Sequence, residues 1–554
     1  MEDLTKFGKS ESRRWLWLLL AVAIIWFGNI EYRKLIKPDE GRYAEIPREM
    51  VVSGDWVTPR LNDLKYFEKP PLQYWATATA YELFGEHQWT SRLWTALTGF
   101  AGILLIWITG ERLFGAVAGR YAAVLLGGSL LYVLMGHINT LDMGVTFFIT
   151  LGIAGLLLGQ HATSEASTRR NWMYVAWIAM ALAVLSKGLM GLVLPGAALV
   201  LYTVLQRDFG VLKRMHWGMG LLLFLLVVSP WFYCVMKANP EFFQKFFIYE
   251  HYTRFTTKAL GRYQPWYYFV PVLLLGMLPW TVLMFDTLLR CWKSSRRADP
   301  AFNPERFLLI WAVFIYFFFS ISGSKLPSYL LPMFPALALL MGKRLAEITE
   351  QKLFWLVAPL LPLALLALGL APFTDQRADT PLQMQMYGEY AHWLVAASLV
   401  WLLGIIAALV LLKRGNKPVA VLVLALSSLI AGQIGSSGYN TIAKERSAYL
   451  VADAIRPYLK ADAPFYSVAM YEQTLPFYLK RTFTLVDYQD EMAFGIMQEP
   501  QRWLPDIASL AIAWQAPAMA FAIMPIDTYP QLQKAGLTMK TIYRDTQYIV
   551  VSKP

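Results

Sequence analysis

Residues 37–75, KPDEGRYAEIPREMVVSGDWVTPRLNDLKYFEKPPLQYW, hold Asp39, Glu40, Arg42, Glu45, Arg48, Glu49, Asp55, Glu68 and Lys69 in a chain that is only 16% charged. Asp39 follows Pro38, one short polar turn after the first apolar run, where a carboxylate stays solvated while facing a membrane boundary. It reads as a catalytic or metal-binding acid. The alternative is a turn in which Asp39 or, better, Glu40 caps the helix that follows. Lys69, before Pro70 and Pro71, sits on a backbone biased to be extended, which suits fixing one cation near a phosphate. A plain ion pair with Glu68 is the competing reading.

Three further polar breaks carry chemistry. GHINTLDMG at 136–144 presents Asp142 beside His137 and Asn139, with a helix cap as the bland alternative. In the loop 237–265, helical spacing would place Glu250, His251 and Arg254 on one face. One His beside one Glu is thin evidence for a metal, so anion binding by Arg254 is preferred. SGSKLPSY at 322–329 offers Ser324, Lys325 and Tyr329 ahead of an apolar run whose helix would point its N-terminus outward. Snorkelling is the alternative for Lys325, and Lys187 is of the same kind. Together these residues suit transfer of a sugar from a lipid-linked phosphate donor, with cations absorbing the charge of the leaving group.

What must position them is a set of membrane spans. The chain is 56% hydrophobic and 15% aromatic, with a mean hydropathy of +0.40. Thirteen apolar runs of near-spanning length fall between residues 15 and 435, among them 118–136, 266–289 and 330–345. The net charge of +12 is scattered over short loops, mostly on one side of the alternation. That pattern is a topology signal and places the N-terminus in the cytoplasm; it argues against a nucleic-acid partner. The polar loop 31–90, both corners, the loop 237–265 and the C-terminal segment then share the opposite face. Within 31–90, Tyr43, Ile46, Pro47 and Met50 predict an amphipathic interfacial helix, and a second from Leu72 to Leu83 would be anchored by Tyr74, Trp75 and Tyr81. The two cysteines, Cys234 and Cys291, are not expected to pair.

Residues 1–437 therefore read as an all-α polytopic membrane domain and 438–554 as a small soluble α/β domain. In the latter, strands are expected at 463–470, 482–488, 518–524 and 542–552, with helices at 447–460, 499–512 and 527–536.

PDEGRYAEIPREMV, YFEKPPLQYW, NTLDM and SKLPSYLLP together resemble the polyprenyl-phosphate-sugar glycosyltransferases of the GT-C type. Within them the chain is most similar to the bacterial lipid A 4-amino-4-deoxy-L-arabinose transferases, relatives of the protein O-mannosyltransferases. The resemblance implies a donor of undecaprenyl phosphate carrying aminoarabinose, lipid A or lipopolysaccharide as acceptor, inversion at the anomeric carbon, and resistance to polymyxin and other cationic peptides. It implies catalytic roles for Asp39 and Asp142, donor-phosphate binding by Lys69, Arg254 and Tyr329 with Lys325, and sugar or acceptor positioning by Glu40, Arg42, Tyr43 and Tyr66. No cofactor is required; a divalent zinc or magnesium at Glu68 and His251 stays open. A monomer among the lipids of the bacterial inner membrane is expected, its site and C-terminal domain in the periplasm. A related enzyme with another sugar, or with a protein Ser or Thr acceptor, is the alternative, and a hydroxyl acceptor would need a stronger base.

Overall fold

Seven helices in the computed structural model are long and apolar enough to cross a membrane: Gln88–Phe114, Leu141–Gln160, Trp217–Ala238, Pro304–Ile321, Glu350–Arg377, Pro381–Lys413 and Lys417–Thr441. The structure describes residues 9–161, 165–253, 264–294 and 302–554. The protein is a multi-pass membrane protein. All thirteen apolar runs carry helix, but several are not single straight rods. Residues 118–136 split into Ala116–Gly127 and Leu130–Met135 around Gly128 and Ser129. Phe269–Gly276 and Thr281–Lys293 are bent by 108° across a break that contains Pro279, whose ring cannot continue the helical ladder. Counting that bent pair as one span gives eight among the described residues. The run at 330–345 begins as a 3-10 stretch, Pro327–Met333, with Pro327 and Pro332 in it.

The chain divides into two compact units. One comprises Met1–Tyr32, Arg92–Phe232 and Ile248–Tyr439; the other comprises Arg33–Ser91, Tyr233–Phe247 and Asn440–Pro554. The first polar loop thus belongs with the C-terminal segment, a grouping that reading along the chain does not suggest. In the first unit, helices close by backbone contact: a Cβ on Gly119 would lie 2.4 Å from the Glu111 nitrogen, so only glycine admits this approach. His137 is buried there as a packing residue, its ring nitrogens 2.6 Å from the Val133 carbonyl and 2.7 Å from that of Trp26.

The second unit is built on a sheet of six strands. After a small hairpin, β1 (Arg60–Leu61) and β2 (Leu64–Lys65), come β3 (Phe465–Val468), β4 (Thr484–Val486), β5 (Trp503–Leu504), β6 (Phe521–Pro525), β7 (Lys540–Arg544) and β8 (Tyr548–Ser552). The sheet order is β5-β4-β3-β6-β8-β7. β3 pairs in parallel with β4 and β6, as strands joined through helices must, with Phe465 opposite Phe521. The single strand expected at 542–552 is an antiparallel hairpin instead. Asp545 turns it: its carboxylate accepts the backbone N–H groups of Gln547 and Tyr548, both at 2.7 Å. Of the helix expected at 499–512, only Ile507–Gln515 forms, capped by Asp506. Val468, Val486, Leu510, Trp514, Met524 and Val551 form the core of this α/β layer.

The helix Asp39–Ser53 forms where expected, yet it is not an interfacial one. Residues 40–50 are buried throughout, and Ala44 packs with Leu35, Tyr81 and Phe477 in one small core. Leu72–Phe84 is also helical, but Tyr74 and Tyr81 are buried; only Trp75 is half-exposed, its indole donating to the Trp56 carbonyl at 2.7 Å.

Candidate functional site

Two clusters bring the predicted residues together, one in each unit. The first is set by the helix Asp39–Ser53. Helical spacing of three residues puts the Arg42 guanidinium 3.1 Å from the Asp39 carboxylate. The other end of Arg42 ion-pairs with Glu491, whose second oxygen accepts from the Gln473 amide at 2.9 Å. Arg42 also lies 6.0 Å from the centre of the Tyr43 ring and 5.9 Å from that of Tyr66, within cation–π range. Tyr43 packs on Tyr74 at 6.2 Å. A close approach frames this corner: a Cβ on Gly41 would sit 2.5 Å from the Gln473 carbonyl oxygen.

Burial dominates the electrostatics. It raises the Tyr43, Tyr66 and Tyr74 phenols well above their usual range, and the charge of Glu68 pushes the same way, so all three stay neutral donors. Glu491 is pushed up by burial as well, against the pull of Arg42. Among the described residues, the hydroxyls of Tyr66 and Tyr74 and the Nε of Arg42 are buried without a hydrogen-bond partner, which is costly unless a bound group accepts from them. The corner is therefore acidic at its rim, at Asp39, and rich in neutral and cationic donors inside. It fits a ligand that carries a cation at one end and an anion or hydroxyls at the other.

The second cluster lies in the membrane unit. Asp142 stands in the first turn of Leu141–Gln160, and Lys187 ends the helix Ala166–Lys187. The two are ion-paired, and the Lys187 ammonium sits 5.0 Å from the centre of the Tyr329 ring. Asp142 is not the helix cap; Thr140 holds that position. Phe319 supports Tyr329 from its other neighbour, with ring centres 5.1 Å apart.

A family model described as aminoarabinose transferase C-terminal domain matches residues 451–553, and one described as dolichyl-phosphate-mannose-protein mannosyltransferase matches residues 68–234. An undecaprenyl phosphate-alpha-4-amino-4-deoxy-L-arabinose arabinosyl transferase of Proteus mirabilis is 33% identical over 328 residues, 59% of this chain and 58% of that protein. Its counterpart in Pseudomonas aeruginosa is 32% identical over 340 residues, 61% of this chain and 60% of that protein. The match thus spans about three fifths of the length of these curated relatives. The crystal structure of ArnT from Cupriavidus metallidurans bound to undecaprenyl phosphate superposes with a TM-score of 0.92, at 39% identity over 98% of both chains. The chain belongs to the ArnT family.

Not every residue expected at the site of this ArnT-family chain is placed for it. Lys325 is turned inward, donating to the carbonyls of Ser322 at 2.7 Å and Gln264 at 3.0 Å, because the broken chain at 322–326 leaves acceptors beside it. Glu40 accepts from the Ile36 N–H at 3.2 Å; it satisfies the turn before the helix, while the N-cap position itself is Pro38. Glu68 and Lys69 are half-buried at a bend of the chain. Glu250 is buried in the π-helical stretch Gln244–Thr253. Arg254 and the side chain of His251 lie outside the described residues. Among the described residues, no group of three or more His, Cys, Asp or Glu is placed to hold a metal ion. Glu491 and Gln473 escape a reading of the sequence. Their local stretches, YQDEM and YEQT, look like solvated turns, and only the fold brings them to Arg42.

Proposed function

We propose that this ArnT-family protein transfers 4-amino-4-deoxy-L-arabinose from undecaprenyl phosphate to a phosphate group of lipid A. The observation that carries this reading is the likeness over 98% of both chains, at 39% identity, to an ArnT bound to undecaprenyl phosphate. An oxygen of the lipid A phosphate attacks the anomeric carbon. The bond from that carbon to the undecaprenyl phosphate oxygen breaks, its electron pair leaves with undecaprenyl phosphate, and the configuration inverts.

Acceptor and leaving group are both phosphates, so the barrier is set by charge stabilisation more than by a strong base. In this reading cations and donors take up the charge of the departing phosphate, and Lys69, Arg254 and Tyr329 are each candidates for that role. Asp39, at the half-exposed rim of its cluster, pairs with the sugar amine and steadies the oxocarbenium-like centre. Tyr66 and Tyr74, buried and neutral, donate to the sugar or its phosphate. Each step runs on protein groups alone, and we propose that no cofactor is needed. The basic residues of the opposite loops support a place in the inner membrane with the site toward the periplasm. There the added amine lowers the negative charge of lipid A and weakens its attraction for polymyxin.

Lipid A from a strain lacking its own transferase, analysed by mass spectrometry with and without this chain, tests the reading. A pentosamine-sized increment on phosphate is expected. No increment, with the donor lipid present, would overturn it; a hexose on a protein Ser or Thr would favour the mannosyltransferase-like alternative.

A further inference from the structure

A groove of about 990 Å³ runs along the second unit, and none of Asp39, Arg42, Lys69 or Tyr66 lines it. Six cations do: Arg48, Arg60, Arg456, Lys460, Lys480 and Arg481. Its two acids are engaged elsewhere. The Glu49 carboxylate accepts the backbone N–H groups of Asn62 at 2.6 Å and Asp63 at 2.7 Å, and Asp63 ion-pairs with Arg502.

Four of the cations also have carboxylate partners: Arg48 with Glu45, Arg60 with Glu499, Arg456 with Asp453 and Lys480 with Glu86. In the last two pairs the cation is 55% and 62% exposed, so water screens them and a better anion can displace the carboxylate. Arg481 and Lys460 remain. The Arg481 guanidinium is half-buried over the Phe465 ring and donates only to the carbonyls of Ala463 at 2.6 Å and Lys460 at 3.3 Å. Among the described residues no carboxylate meets either side chain. Burial pushes Arg481 down, and no acidic neighbour acts in the other direction. A half-buried guanidinium in a basic groove is costly until an anion arrives, and its fork of donors matches a phosphate or carboxylate.

Size narrows the occupant. Small-molecule pockets run to about 1,000 Å³, so this groove has room for several sugar rings where a lone phosphate would leave most of it to water. Tyr478 also lines it. The walls are too charged for acyl chains, and a concave groove does not match a flat bilayer surface. We propose that the groove binds the anionic saccharide head group of the acceptor glycolipid, through Arg481 and Lys460, at a distance from the reacting atoms. That the head group belongs to the transfer acceptor rests on the reading of function above.

The test uses the full chain in lipid nanodiscs and, as probe, an acyl-free glucosamine disaccharide carrying two phosphates, titrated by calorimetry. Lys460→Gln should weaken binding about tenfold, and Lys460→Gln with Arg481→Gln about a hundredfold, each losing one charge-assisted contact. Lys460 is exposed, so the single variant reports even if the double variant folds poorly. In the transfer assay KM for the acceptor should rise while kcat and KM for the donor stay put. Unchanged affinity and unchanged acceptor KM in both variants would overturn the proposal, as would inorganic phosphate binding as tightly as the disaccharide. A wild-type chain that binds the probe with this pattern but transfers no aminoarabinose would sink the functional reading and leave the groove standing. Normal transfer with unchanged acceptor KM would do the reverse.

Discussion

Arg42 and Glu491 form a buried ion pair that ties the helix after the first apolar run to the C-terminal α/β segment, inside one compact unit. Breaking such a pair from one side costs up to about 3–5 kcal/mol where no other counter-charge is in reach, and less here, because Asp39 also meets Arg42 at 3.1 Å. Glu491→Gln should therefore lower the thermal midpoint of the full chain and slow sugar transfer, because Arg42 then keeps Asp39 as its partner and loses the anchor that positions it from the other side. Replacing both, Arg42→Met with Glu491→Met, removes the orphaned charge, so most of the stability should return while transfer stays impaired. Equal midpoints for wild type and Glu491→Gln in a melting experiment would show that the pair carries no structural load.

Asp39 is the more exposed of the two carboxylates paired with Arg42, its side chain 35% exposed against 11% for Glu491. Asp39→Asn keeps its shape and leaves Arg42 paired to Glu491, so folding should be little affected. Loss of its charge at the developing cationic centre should reduce kcat by about 10²–10³. Turnover in reconstituted vesicles measures this; full activity in the Asn variant would remove Asp39 from the mechanism.

Local rules explain what could be read from the chain beforehand. Asp39 and Arg42 are one helical turn apart, so their contact follows from spacing. Asp142, Lys187 and Tyr329 each stand at the end of an apolar run, where a polar side chain is conspicuous, though their meeting depends on helix packing. Glu491 had no such signal, since its partner comes from a distant stretch and its own surroundings look like a turn. Nothing in SGSKLPSY announces that the loop folds its carbonyls back on the Lys325 ammonium. The helix Asp39–Ser53 was assigned to the membrane interface from four apolar positions, whereas burial on every side takes Glu45 and Arg48 inside as a pair, with N···O distances of 2.5 and 2.7 Å. The hairpin at 540–552 carries no turn signal in the sequence, because the turn at Asp545 uses neither glycine nor proline.

Lys187 links Asp142 to Tyr329, so the three should act as a unit on the reaction. Asp142→Asn and Lys187→Gln are each expected to reduce kcat at least about tenfold, with the double variant no worse than the worse single. A double-mutant cycle in the transfer assay checks this. Strict additivity would mean that the ion pair is a packing feature of two helix ends and plays no joint part in the chemistry.

Glu472 gives the second unit a pH dependence whose sign is fixed by burial. Its carboxyl is fully enclosed and pushed above 4.5 by desolvation, while Lys37 and the hydrogen bonds from Thr474 and Leu475 pull the other way. Lys37, lowered by burial, is held by Gln547 at 3.1 Å and Tyr548 at 2.5 Å, with Glu445, Arg446 and Asp545 also nearby. A carboxyl whose pKa is raised in the folded state binds its proton more tightly there than in the unfolded chain. Stability is then complete below 4.5 and falls as pH rises toward the folded value. Glu49 is raised for the same reason and adds to the trend. The thermal midpoint of the wild type should therefore decline as pH rises above 4.5 toward the folded value, and Glu472→Gln, which cannot lose a proton, should flatten that slope. Asp453→Asn, at an exposed pair with Arg456, serves as the control and should leave it unchanged. If Glu472→Gln and wild type show the same slope, the proton is not held at Glu472 and the trend belongs to Glu49.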